Sequence, residues 1–94
     1  MSIKNRRLSY RLDLLPVIYP YHRRATNPIQ LGDLVYYGPS PEYYGIGEVV
    51  SAEDNYCVVD FRGTGLLGIQ KDVFQNKYLI PIHKLNLSHL LKST

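Results

Sequence analysis

From residue 31 onward, apolar positions gather into short runs separated by glycine, proline and acidic turns. Leu31-Gly32-Asp33 leads into Leu34-Val35-Tyr36-Tyr37, a run of strand formers, and Gly38-Pro39-Ser40-Pro41 ends it. A loop holding Tyr43, Tyr44 and Gly45 precedes the second run, Ile46 to Ala52. Glu53-Asp54-Asn55 is a polar connection of hairpin length, and the third run, Tyr56 to Phe61, is the richest in β-branched residues. Arg62-Gly63-Thr64-Gly65 reads as a turn into a fourth run, Leu66 to Gln70, after which Asp72 is placed to cap one helical turn through Phe74. Tyr78 to Ile82 makes the last strand, and Pro81 assigns it to an edge or terminus, because proline has no N–H for the ladder. Short strands at close spacing with such turns are the pattern of a small all-β barrel.

The first 28 residues follow a different rule. Leu8, Tyr10, Leu12 and Leu14 alternate with polar residues at the strand period, while Leu8, Leu12 and Leu15 also fit a helical stripe. Pro16 ends either element. Pro16-Val17-Ile18-Tyr19-Pro20 is expected to run extended, since a residue before proline is pushed out of the α region. Asn27-Pro28 closes this arm with a turn signal. The reading is therefore a basic extended arm over 1–28, a barrel over 29–84 and a tail over 85–94. The tail's Leu85, Leu87, Leu90 and Leu91 suit a single helical turn covering a barrel end.

Charge separates arm and barrel further. Residues 1–30 hold Lys4, Arg6, Arg7, Arg11, Arg23 and Arg24 against Asp13 alone, whereas residues 31–94 hold five basic groups against seven acidic ones. The basic character belongs to the arm. A faintly acidic barrel is a poor surface for nucleic acid. Cys57, the single cysteine, excludes a disulfide framework within the chain and a cysteine-based zinc site, and its apolar neighbours mark it as a small buried hydrophobe. No apolar stretch approaches the ~20 residues of a bilayer span, and Arg11, Asp13 and Pro16 interrupt the early segment, so it does not read as a signal peptide. A soluble, cytoplasmic protein is the expectation.

A set of motifs carries a resemblance. Gly32-Asp33-x-Val35, Gly45-Ile46-Gly47-Glu48-Val49-Val50, Val58-Val59-Asp60-Phe61, Gly65 and a closing Leu79 together are similar to the Tudor-like module at the carboxyl end of superfamily 1 DNA helicases. They also resemble KOW modules and the SH3-like subunit of the photosynthetic NAD(P)H dehydrogenase complex. The similarity covers roughly residues 31–82 and implies a five-stranded SH3-like barrel that docks on another protein, often a polymerase or a large complex, with nucleic-acid contact as a secondary theme. The chain departs from the helicase modules in having Leu34 and Tyr36 where they usually carry basic residues, and in its longer loop before Gly45. It lacks a helicase motor, so docking is what carries over.

Tyrosine joins large apolar area to a hydroxyl at small rotamer cost and is enriched at interfaces. Strand alternation puts Val35 in the core, sends Leu34 and Tyr36 outward, and turns Tyr37 inward or toward the rim. With Tyr43 and Tyr44 on a loop, the expected protein-binding face comprises Tyr36, Tyr43, Tyr44 and Phe61, with Glu42 and Glu48 steering a basic partner. Glu53 and Asp54 add to that acidic rim. Arg6, Arg7, Arg11, Tyr21, Arg23 and Arg24 combine cations with an aromatic ring, the types that meet phosphates and stacked bases, or a second protein surface. Catalysis finds no support: Ser9, Ser40, Ser51 and Cys57 have no histidine or carboxylate at a telling spacing. His22, His83 and His89 are scattered without metal-ligand spacing. Gly63-x-Gly65-x-x-Gly68 has the spacing of a dinucleotide fingerprint but no following helix to cradle a phosphate, so turn glycines explain it. The expectation is thus a non-enzymatic accessory or regulatory subunit with a protein partner, no cofactor, no metal and no small-molecule substrate. Nucleic-acid binding through the arm is the alternative.

Overall fold

The β-branched and aromatic runs become five strands in a computed structural model that describes residues 11–20 and 28–82. The arm residues Arg6, Arg7, Tyr21, Arg23 and Arg24 and the tail 85–94 lie outside the described residues. β1 (Leu34–Tyr37), β2 (Ile46–Ala52), β3 (Tyr56–Arg62), β4 (Ile69–Gln75) and β5 (Leu79–Ile82) form one antiparallel sheet in the order β4-β3-β2-β1-β5. The domain is all-β with little helix. Chain neighbours pair through short connections, and β5 returns to the free side of β1, so β4 and β5 are the sheet edges. Pro81 sits in an edge strand, as its missing N–H requires.

One face of the sheet makes the core. Val35, Val49, Cys57, Val59, Phe61, Phe74 and Leu79 pack together with Ile29, and Tyr37, Tyr44 and Ala52 close over them. The alternation in β3 is clean: Cys57, Val59 and Phe61 are buried and their neighbours are not. The register continues it, with Val49 opposite Val59, Gly47 opposite Phe61 and Cys57 opposite Phe74. Gly47 is small because it must be: a Cβ there would fall within 3.0 Å of the Val59 and Phe61 side chains. Between Val49 and Ser51 the pairing slips, leaving Val50 as a bulge that bends β2.

Two expectations for the chain after β3 are corrected. The fourth strand starts at Ile69, not Leu66, because Gly63 and Gly68 both hold positive φ and the segment between them is a loop tied to its neighbour. Residues 72–74 are strand, not a helical turn. The carboxylate of Asp72 does accept a backbone N–H, from Val73 at 2.7 Å, but it does so on the open side of an edge strand. A short helix, α1 (Pro41–Tyr44), replaces the expected irregular loop; Pro41 stands in its first turn, where a missing N–H costs nothing. No helix among the described residues is long and apolar enough to cross a membrane.

Candidate functional site

The site is built by two loops that meet backbone to backbone. Gly45 ends α1 at φ +79°, a conformation L side chains rarely adopt, and swings the chain into β2. Its backbone abuts Gly65, where a Cβ would collide with main-chain atoms of Tyr43, Tyr44 and Gly45. Contact this close lets the loop 63–68 serve α1 directly. The N–H of Leu66 donates to the Glu42 carbonyl at 2.9 Å and the N–H of Leu67 to the Tyr43 carbonyl at 2.7 Å, satisfying helix-end acceptors. Thr64 completes the clamp: its Oγ1 accepts from Ile46 N–H at 2.6 Å and donates to the Ile46 carbonyl at 3.2 Å.

The clamp holds one apolar side chain in water. Leu66 is 82% exposed at the tip of its loop, and Tyr43, on the helix turn bonded to that loop, is 44% exposed. Glu42 is exposed beside them. Behind Tyr43 a series of rings leads into the core: Tyr43 on Tyr44 at 5.0 Å, Tyr44 on Phe61 at 5.4 Å and on Phe74 at 5.3 Å, and Tyr37 on Tyr44 at 5.0 Å. Most contacts are edge-on or tilted, the arrangements the ring quadrupole favours, each contributing ~0.5–1.5 kcal/mol beyond area. Tyr43 thus rests edge-on against Tyr44, which is itself packed on Phe61 and Phe74.

The expected binding face needs redrawing. Phe61 is fully buried and belongs to the core. Tyr44 is half-buried against that core, because α1 turns its ring inward. Tyr36 does point to the outer face, as alternation requires, but that face is not wet there: the ring is only 3% exposed and its hydroxyl donates to the Pro16 carbonyl at 3.0 Å. Glu48 has its charge met within the chain by Arg62 at 2.9 Å, with Asp60 on the same guanidinium at 3.5 Å. Of the residues chosen from sequence, Tyr43 and Glu42 remain together at an exposed site. Leu66 was missed because Leu66-Leu67 reads as the start of a strand, and Thr64 because its partner, Ile46, lies eighteen positions away. The glycines on either side of Leu66 were the available signal.

At the opposite border of the ring series, the Tyr37 phenol is pushed up from its ordinary value, chiefly by burial and then by the nearby Tyr44, Tyr78 and Tyr19 hydroxyls. The Tyr78 ring carries Lys77 Nζ at 5.4 Å from its centroid. Burial also pushes the Cys57 thiol up, which makes it a poor nucleophile. Arg11 is exposed and paired with Asp13 at 3.1 Å. Among the described residues, no three His, Cys, Asp or Glu side chains converge on a point that would hold a metal. Gly63, Gly65 and Gly68 serve turn and clamp geometry, with a strand and no helix after them. No protein-family model, curated protein or solved structure matches the chain.

Proposed function

We propose that this chain is a small SH3-like barrel of the Tudor or KOW kind that docks on a larger protein assembly in the cytoplasm as a non-enzymatic accessory or regulatory subunit. One observation supports the docking site: an exposed leucine and an exposed tyrosine stand on neighbouring segments whose backbones are locked by a glycine contact and four hydrogen bonds. A solvent-exposed leucine on a mobile loop is unremarkable, because covering it would cost the ordering of the loop. On a clamped loop that cost is already met by folding, so apolar area there converts more fully into affinity. Glu42 at its border favours a partner with a basic rim.

The test is capture of a stoichiometric protein partner from native extract at moderate salt, comparing the natural chain with a Tyr43→Ala, Leu66→Ser double variant. The reading expects the partner to be lost with the variant while stability falls by no more than about 1.5 kcal/mol, the contribution of the Tyr43–Tyr44 ring pair. Unchanged capture by the variant sinks the site. Recovery of RNA or DNA alone, falling steeply with salt, replaces the reading with arm-mediated nucleic-acid binding.

A further inference from the structure

The outer face of β1 is covered by a segment of the chain's own arm. Pro16 to Ile18 lie across β1 on the side away from the core. Tyr36 gives its hydroxyl to the Pro16 carbonyl at 3.0 Å, and the Gly38 carbonyl accepts the Ile18 N–H at 2.9 Å. Gly38 makes that approach possible: a Cβ there would collide with the Ile18 carbonyl oxygen, and would also press on the Tyr78 carbonyl and the Ile80 side chain. Just upstream, the 3-10 turn Leu12–Leu14 packs against α1. Leu12, Leu15 and Ile18 are the half-buried aliphatics of the segment, three residues apart, the repeat of the 3-10 turn carried on past Pro16.

The two sides of this contact are unequally committed. On the receptor side, Tyr36 and Ile46, paired across β1 and β2, are 3% and 5% exposed. On the arm side no residue from 11 to 20 is buried, and Leu14, Val17 and Tyr19 are exposed. The groove also grips main-chain atoms in one register, a carbonyl at 16 and an N–H at 18. An identical segment on a second chain offers the same two atoms and the same three aliphatics.

We propose that the groove over Tyr36 and Gly38 is a receptor for the arm of a second copy of this chain, so that two chains exchange residues 11–20 reciprocally. Such a pair closes on itself, with each groove filled by the other chain's Pro16 and Ile18. The closed single chain and the exchanged pair share the same contacts. The intramolecular arm competes at an effective concentration on the order of millimolar, so the single chain dominates in dilute solution and the pair grows with concentration.

Two half-disabled chains separate exchange from other outcomes. Ile18→Pro removes the donated N–H and leaves the groove intact. Gly38→Ala blocks the groove and leaves the arm intact. Exchange predicts that each alone sediments as a single chain, while an equimolar mixture approaches twice that mass at concentrations where the natural chain is still largely single. Pairs formed by either variant alone place the interface elsewhere and overturn the proposal; so does a mixture that remains single chains up to millimolar concentration. Far-UV circular dichroism checks that both variants fold. Should Gly38→Ala not fold, a labelled synthetic peptide of residues 11–20 is titrated into the full-length Ile18→Pro chain. Saturable binding is then expected, with at least tenfold weaker binding of a peptide carrying the same Ile18→Pro change, and equal binding of the two peptides refutes the receptor.

Discussion

Val35 and Tyr36 are consecutive, face opposite sides of the sheet, and are both buried, yet different things bury them. Val35 is covered by the sheet's own core, where β2, β3, β4 and β5 contribute one or more side chains each. Tyr36 is covered by a strap from twenty residues upstream, bound through one hydroxyl and one backbone amide. The inner face is cooperative, since each of its residues supports the others. The outer face depends on a separate segment with no buried residue of its own. The difference shows that alternation along a strand tells which face a residue takes but not whether that face meets water.

The heaviest blow to the inner face is Val59→Asp. Val59 is fully buried between Val49 and the β4 edge, and an unpaired carboxylate there costs about 4 kcal/mol or more. A chain of this size retains only ~5–10 kcal/mol in total, so urea melting is expected to show it largely unfolded; a cooperative transition near the natural midpoint would disprove the packing. Next comes Gly65→Ala, whose Cβ meets backbone rather than flexible side chain. Parting the clamped loops is expected to cost about 1–3 kcal/mol and to speed amide exchange at Leu66 and Leu67 together.

The outer face yields a smaller effect. Tyr36→Phe keeps the ring and deletes the hydroxyl, so melting is expected to fall by about 1 kcal/mol. Amide exchange should accelerate at Ile18 while the core strands keep their protection. Loss of protection across all five strands would mean that the two faces are one cooperative unit. The smallest effect is in the pH profile. The Tyr37 phenol is raised above its ordinary 10.0 by burial first and by neighbouring tyrosines second. The folded state thus holds this proton more tightly than the unfolded state. That stability is fully present below pH 10 and is lost as pH rises through the elevated folded value. Tyr37→Phe should flatten that alkaline limb of the melting profile, and an unchanged limb would assign it to another group.

Much of the fold was legible because inner-face burial needs only local pattern. Leu34–Tyr37 and Ile46–Ala52 have the bounds that their residues announced, and Tyr56–Arg62 exceeds its run by one residue. The turn at Glu53-Asp54-Asn55 was equally plain. β4 was misplaced because its identity rests on a loop, 63–68, whose shape depends on Gly45 and Gly65 touching across twenty residues of sequence. The site was half legible. Tyr43 and Glu42 announced themselves by type, whereas Tyr44 and Tyr36 have the same composition signal and are covered, one against the core and the other under the arm.

By itself the sequence determined an all-β chain with Val35 and Cys57 turned inward, turn glycines at the loops and a charge-distinct arm, since periodicity, side-chain volume and turn chemistry act over a few residues. Only the tertiary structure decided that the arm lies on the outer face, that Tyr36 is dry and Leu66 wet, and that two loops lock into one platform. Those outcomes are set by close approach between distant backbones, at Gly38 with Ile18 and at Gly45 with Gly65, and no local preference encodes a distance between residues twenty positions apart.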